Sequence, residues 1–185
     1  SMPWIRCAGF LVGLAVILGI CDFCFAPSGY VRFILHEVNR KDTQYDTIIL
    51  GASHARSAIN PEYLDEELGT NTLNLAIPGE TVKDAYYLLK DACESNDVKT
   101  VIMDVDYQYW MDEQPQGYFT EPFICQNITN LKVKTEYLLD NWDTIDLRNV
   151  LVRRLSWDCT WSSVKQNVST KMTEAYREYS IEAPG

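Results

Sequence analysis

The chain has 185 residues, 46% of them hydrophobic and 12% aromatic, which is enough for one domain with a real core. Its formal net charge is -10, and a phosphate-binding surface needs clustered Lys and Arg, so no nucleic acid partner is expected. The six cysteines, Cys7, Cys21, Cys24, Cys93, Cys125 and Cys159, are not spaced as a disulfide framework, and a pair among the last three is not deducible.

Residues 8–20, AGFLVGLAVILGI, carry no charge; with Cys7 before and CDFCFA after, the apolar stretch reaches about 20 residues, interrupted only by Asp22. That length spans a bilayer core as a helix. A cleaved signal peptide is the competing reading, with Arg6 as a weak positive region, but Pro27 follows the only Ala-like boundary. An uncleaved anchor over residues 1–27 is the expectation. Flanking charge does not orient it, because Arg32, Arg40 and Lys41 follow the span and only Arg6 and the amino terminus precede it. Cys21-x-x-Cys24 lacks a second ligand pair and reads as apolar filler, not a metal or redox site.

Residues 28–44 read as a connector. Val31, Phe33, Ile34, Leu35 and Val38 spell a short amphipathic helix resting on the membrane or on the domain, and His36 reads as an ordinary interfacial histidine.

The domain proper is expected over 45–185. Ile48, Ile49 and Leu50 form an apolar, partly β-branched run that Asp46 precedes and Gly51 stops, as in a buried parallel strand. Ser53 then falls beyond the carboxyl end of that strand, where open α/β sheets bind ligands and where a nucleophile is well placed. The competing reading is that Ser53 merely caps the next helix. Asn60-Pro61-Glu62 is a helix start, with Leu64 and Leu68 facing inward and Gly69 as the stop. Residues 72–76, TLNLA, read as a second strand running into the turn Ile77-Pro78-Gly79. Thr81 and Asp84 make a capping box, and Val82, Ala85, Tyr86, Leu89, Ala92 and Cys93 follow helical spacing. Residues 99–106, KTVIMDVD, are a third strand. Strand, helix, strand, helix, strand with short connections implies a parallel α/β sheet.

Beyond Asp106 the pattern changes. Tyr107, Tyr109, Trp110, Tyr118, Phe119 and Phe123 crowd a segment with Pro115, Gly117 and Pro122, so 107–125 reads as a long aromatic loop at the top of the third strand. Aromatics with scattered carboxylates suit a carbohydrate-like ligand; self-packing of the loop is the alternative. Two amphipathic helices are expected at 129–142, carrying Leu131, Leu138, Leu139 and Trp142, and at 144–157, with a short one at 170–180. Asn127-Ile-Thr and Asn167-Val-Ser match the glycosylation triplet.

The runs IILGASHARSAINPEYL, TLNLAIPGETVKDAYYLL and KTVIMDVDYQYW together resemble the SGNH (GDSL-like) hydrolase superfamily, most of all its membrane-anchored bacterial cell-envelope branch. The resemblance covers roughly residues 45–110 and rests on Gly51-x-Ser53-His54 and Asn74…Gly79, each after a strand. It implies a three-layer, flavodoxin-like SGNH fold, apparently incomplete at its C-terminus, behind a transmembrane helix. It implies Ser53 as nucleophile, with its own N–H and that of Gly79 as oxyanion donors. The family's third donor is an asparagine; Asp106 and Tyr107 stand there instead. Asn74, Asp106, Tyr107, Tyr109 and Trp110 are the expected substrate contacts. The family's base is the histidine of a C-terminal Asp-x-x-His, and no histidine follows His54 here. His54 directly follows Ser53, which makes it a ligand contact rather than the base.

The resemblance thus leads to an extracytoplasmic, membrane-anchored esterase or acyltransferase acting on an acylated glycan or cell-envelope polymer. The alternative is a non-catalytic envelope protein using the same pocket for binding. Either the chain is a fragment of a longer protein or its lineage has lost the base. No cofactor and no metal are implied, and oligomeric state is unspecified. A plain flavodoxin-like domain is the third reading, weakened because the first turn lacks a phosphate cradle.

Overall fold

The structure is a computed structural model, described over residues 3–26, 28–105, 120–142, 157 and 159–173. Helix α1 (Pro3–Phe25) is followed by α2 (Tyr30–Glu37), β1 (Thr47–Leu50), α3 (Ser53–Ala58), α4 (Pro61–Leu68), β2 (Thr72–Asn74), α5 (Val82–Ser95) and β3 (Thr100–Met103). Then come α6 (Thr120–Asn127), α7 (Leu131–Asp140) and α8 (Trp161–Thr173). The three strands form one parallel sheet in the order β2-β1-β3, with Ile48 opposite Leu73 on one side and Val101 on the other. This is a mixed α/β chain with a small parallel sheet.

The apolar composition of β1 follows from its central position. All four of its residues are buried, and alternation sends them to two different cores. Ile48 and Leu50 join Leu73, Leu75 and the inner faces of α2, α5, α6 and α7. Ile49 packs with Ala55 and Ala76, against Ile59, Leu64 and Ile102. Helices thus cover both faces. β3 has the same apolar character, yet Val101, Met103 and Val105 are exposed.

Local signals place the helices. Asn60 caps α4 by accepting from the Tyr63 N–H, Pro61 stands at its first turn, and Gly69 ends it in the left-handed region at φ 66°. Thr81 and Asp84 form the full capping box of α5. At the amino end of β1, Asp46 Oδ1 accepts the Asn71 N–H, which holds its carboxyl below the usual range.

Several expectations are corrected. The inward face of α5 is Asp84, Ala85, Tyr87, Leu88, Asp91 and Ala92, whereas Tyr86 and Cys93 are exposed. Leu68 is exposed at the end of α4. On α7 the buried pair is Val133 and Tyr137, not Leu131, Leu139 and Trp142; Tyr137 meets the Tyr87 ring edge-on and donates to Asp84. The end of the expected aromatic loop is helical, since α6 begins at Thr120. The last described helix, α8, begins at Trp161 and takes in 170–173 of the helix expected at 170–180, while 174–180 and 143–156 lie outside the described residues. The connector helix α2 belongs to the domain, burying Ile34, Leu35 and Val38 completely or nearly so. Both glycosylation triplets have buried asparagines whose amides donate to backbone carbonyls, Asn127 to Phe123 and Asn167 to Cys24.

α1 is 23 residues long, which at 1.5 Å per residue is about 35 Å. It has a mean hydropathy of 2.3 and none of its apolar window is buried, so by length and composition it can cross a membrane.

Candidate active site

The carboxyl edge of the sheet gathers around Gly51. Its φ is 153°, a conformation side chains rarely adopt, and a Cβ there would lie 2.6 Å from that of Ala55 and 2.7 Å from that of Asp104. Glycine is therefore required twice, by the backbone and by space. The neighbouring chains meet β1 at this point. The Ile77 N–H donates to the Gly51 carbonyl (3.0 Å), and the Asp104 N–H donates to the Leu50 carbonyl (3.0 Å). The turn after β2 and the end of β3 thus bracket Gly51.

Ala52, extended at φ -85° and ψ -156°, is the N-cap of α3 and contributes no side-chain cap. Ser53 is the first helical residue, not the cap, so the capping explanation for this serine fails. Ser53 and His54 are both exposed, while Ala52 and Ala55 are buried beneath them. Arg56, one turn on, stacks its guanidinium 4.1 Å from the Tyr30 ring centre, and the Tyr30 hydroxyl donates to the Asn74 carbonyl (3.1 Å), which fixes α3 against α2 and β2.

Gly79 lies in the turn Ile77–Glu80. The Glu80 N–H donates to the Ile77 carbonyl (2.9 Å), with Pro78 second and Gly79 third at φ 77°, the type II pattern. Glu80, buried, accepts the Ile77 N–H through Oε2 (3.0 Å), which closes the turn a second time.

Asn74, expected as a substrate contact, is 8% exposed and spent on the backbone. Its Nδ2 donates to the carbonyls of Ala55 (3.1 Å) and Ile59 (3.3 Å), and its Oδ1 accepts the Ala76 N–H (3.0 Å). It ties α3 to β2. Asp106, Tyr107, Tyr109 and Trp110 lie outside the described residues. Asp104, which the structure brings against Gly51, carries little signal in the sequence beyond being a carboxylate one residue past the apolar run of β3.

The chain's other histidine, His36, lines a cavity with Phe23, Arg32 and Lys171 at the end of α1. Among the described residues no group of three or more His, Cys, Asp or Glu side chains is arranged to hold a metal. All six cysteines are free thiols, and burial pushes Cys125 up to about 11.

Comparison with protein-family models, curated proteins and solved structures gave no match for this chain.

Proposed function

We propose that this chain is a membrane-anchored, SGNH-like serine esterase or acyltransferase, working outside the cytoplasm on acyl groups of envelope glycans or polymers. The observation that carries the reading is Ser53: exposed, not a cap, and the first residue of a helix two positions beyond a glycine-only turn at the carboxyl end of the central strand. A hydroxyl there attacks an ester carbonyl, while backbone N–H groups of the turn, its own included, stabilise the oxyanion. The exposed apolar residues Val101, Met103 and Val105 are what a sheet continuing past β3 in the SGNH manner would cover. α1 supplies the anchor.

One observation favours a binding protein instead. The chain holds two histidines; His36 belongs to the cavity at α1, and His54 adjoins Ser53 in sequence. A serine without a base is a weak nucleophile.

Labelling with a fluorophosphonate probe and mass mapping of the adduct separates the two. The esterase reading expects the label on Ser53 and a loss of p-nitrophenyl ester turnover on the order of 10³-fold or more in Ser53→Ala. A folded chain that takes no label at Ser53 has no activated serine at that position, and a binding protein, or a fragment of a longer enzyme, then replaces the esterase reading.

A further inference from the structure

β3 delivers a carboxylate to the turn that carries Ser53. Asp104 directly follows β3, and its N–H donates to the Leu50 carbonyl (3.0 Å), so it is held at the end of β1. A Cβ on Gly51 would lie 2.7 Å from the Asp104 Cβ, 3.6 Å from Asp104 Oδ2 and 2.6 Å from the Ala55 Cβ. The Asp104 side chain therefore lies against the end of β1 and the first turn of α3. Ser53 is the middle residue of the segment from Gly51 to Ala55 that closes over this point. Its Cα is two residues from that of Gly51, so no more than about 7 Å away.

This carboxylate is not neutralised by its surroundings. Asp104 is half-buried, and among the described residues no hydrogen bond or ion pair falls on its side-chain oxygens. The arginine of α3, Arg56, has its guanidinium over the Tyr30 ring (4.1 Å). The turn on the other side of Gly51 brings a second acid and no base: Glu80 is buried there and accepts the Ile77 N–H (3.0 Å). A charge this close to Ser53 is within a Debye length of whatever binds there, and partial burial leaves it poorly screened.

We infer that Asp104 sets the charge preference of the Ser53 site, favouring an ester that carries an ammonium group near its carbonyl over a neutral or anionic one. This rests on reading Ser53 as the group that meets the ester. The physical reason is strongest in the transition state. A bare carboxylate raises the energy of an oxyanion that develops beside it, and an ammonium on the substrate, lodged against Asp104, offsets that repulsion.

The local charge can be read without turnover. In Ser53→Cys of the full chain, at about pH 8, the new thiol reacts with methanethiosulfonates bearing either a trimethylammonium or a sulfonate head, and mass mapping follows the adduct at position 53. The ratio of the two rates, divided by the same ratio for free 2-mercaptoethanol, cancels both the thiolate fraction and the intrinsic reactivity of the reagents. It should favour the cation by roughly tenfold, and Asp104→Asn should remove most of that excess. Asp97→Asn takes the same charge from an exposed position ahead of β3 and should leave the excess in place. A ratio near unity, or one that Asp104→Asn does not change, overturns the inference. An equal fall in Asp97→Asn does so too, because it traces the excess to the net charge of -10. Should Asp104→Asn fail to fold, Asp104→Ser removes the charge with a smaller side chain and is read in the same way.

Turnover then reports on the substrate. With Ser53 intact, the p-nitrophenyl ester of alanine should exceed p-nitrophenyl propionate in kcat/KM by roughly tenfold, each taken relative to its spontaneous hydrolysis, and Asp104→Asn should abolish the difference. A Ser53 that takes the fluorophosphonate label but shows no preference dependent on Asp104 sinks this inference alone. A Ser53 that takes no label sinks the esterase reading, and the thiol ratio still decides for or against Asp104.

Discussion

Gly51 sets the position of Ser53, and its demands are unequal to those of the other glycines. At Gly69 the φ is 66° and nothing lies within 4 Å of where a methyl group would stand, so Gly69→Ala costs only the left-handed conformation, about 1–2 kcal/mol. At Gly51 the φ of 153° combines with overlaps onto Ala55 and Asp104. Gly51→Ala should cost about 2–4 kcal/mol, because strain and overpacking act together. Denaturant unfolding of both variants in one detergent checks the difference; equal midpoints would mean that β1 and the end of β3 do not approach so closely. The sequence indicates that a glycine stops the strand before Ser53. It cannot indicate why, since Asp104 reaches Gly51 only through the pairing of two strands far apart along the chain. Asn74 shows the converse. Its place after β2 suggests a ligand contact; in the structure its amide is bonded to three backbone groups, the carbonyls of Ala55 and Ile59 and the N–H of Ala76.

Helix α5 carries two carboxylates on its buried face. Asp84 accepts from the N–H and hydroxyl of Thr81 (2.9 Å each) and from the Tyr137 hydroxyl (2.6 Å), and Asp91 accepts from Asn39 Nδ2 (2.8 Å). Burial pushes both carboxyls above the ordinary range, and these hydrogen bonds only partly oppose it. In the unfolded chain the same groups titrate near about pH 4. A raised folded value means that the folded state holds its proton more tightly, so stability is greatest below the unfolded value and falls as pH rises through the folded one. Tm should therefore climb as pH falls through the raised folded values toward about 4, and Asp84→Asn should flatten that climb. An unchanged slope in Asp84→Asn would exclude the buried carboxyl as its source. These acids also explain why periodicity misplaces the faces of α5 and α7. The apolar pattern points to Tyr86 and Cys93, or to Leu131 and Leu139, but the real contact is Asp84 with Tyr137 and Tyr87 against Tyr137. A polar pair at the centre of a helix contact is invisible to a hydrophobic pattern. Caps and strands are readable because their chemistry is local: Asn60, Gly69, Thr81 and the run Ile48 to Leu50 each specify their own backbone.

Between α1 and the rest of the described chain, α8 is the coupling. Its described packing is against α1, and the only residue it buries is Asn167. Trp161 and Met172 remain exposed on it. A 13-residue helix with one buried position and little amphipathic character is marginal by itself in water. Its order therefore depends on the end of α1, through Asn167 to Ser28 and Cys24 and through Lys171 to Phe23 and Ala26. A chain beginning at Ala26 should keep the sheet and α5, whose core does not include α1. It should lose α8 as well, because most of the carbonyls and the helix surface that α8 holds are gone. Hydrogen exchange reads this directly. Amides of residues 165–173 should lose their protection in the shortened chain while those of β1 retain theirs, and far-UV circular dichroism should show more helix lost than the 23 residues of α1. If residues 165–173 stay protected without α1, then α8 is held by the domain, and α1 is a tether to the domain instead of part of its structure.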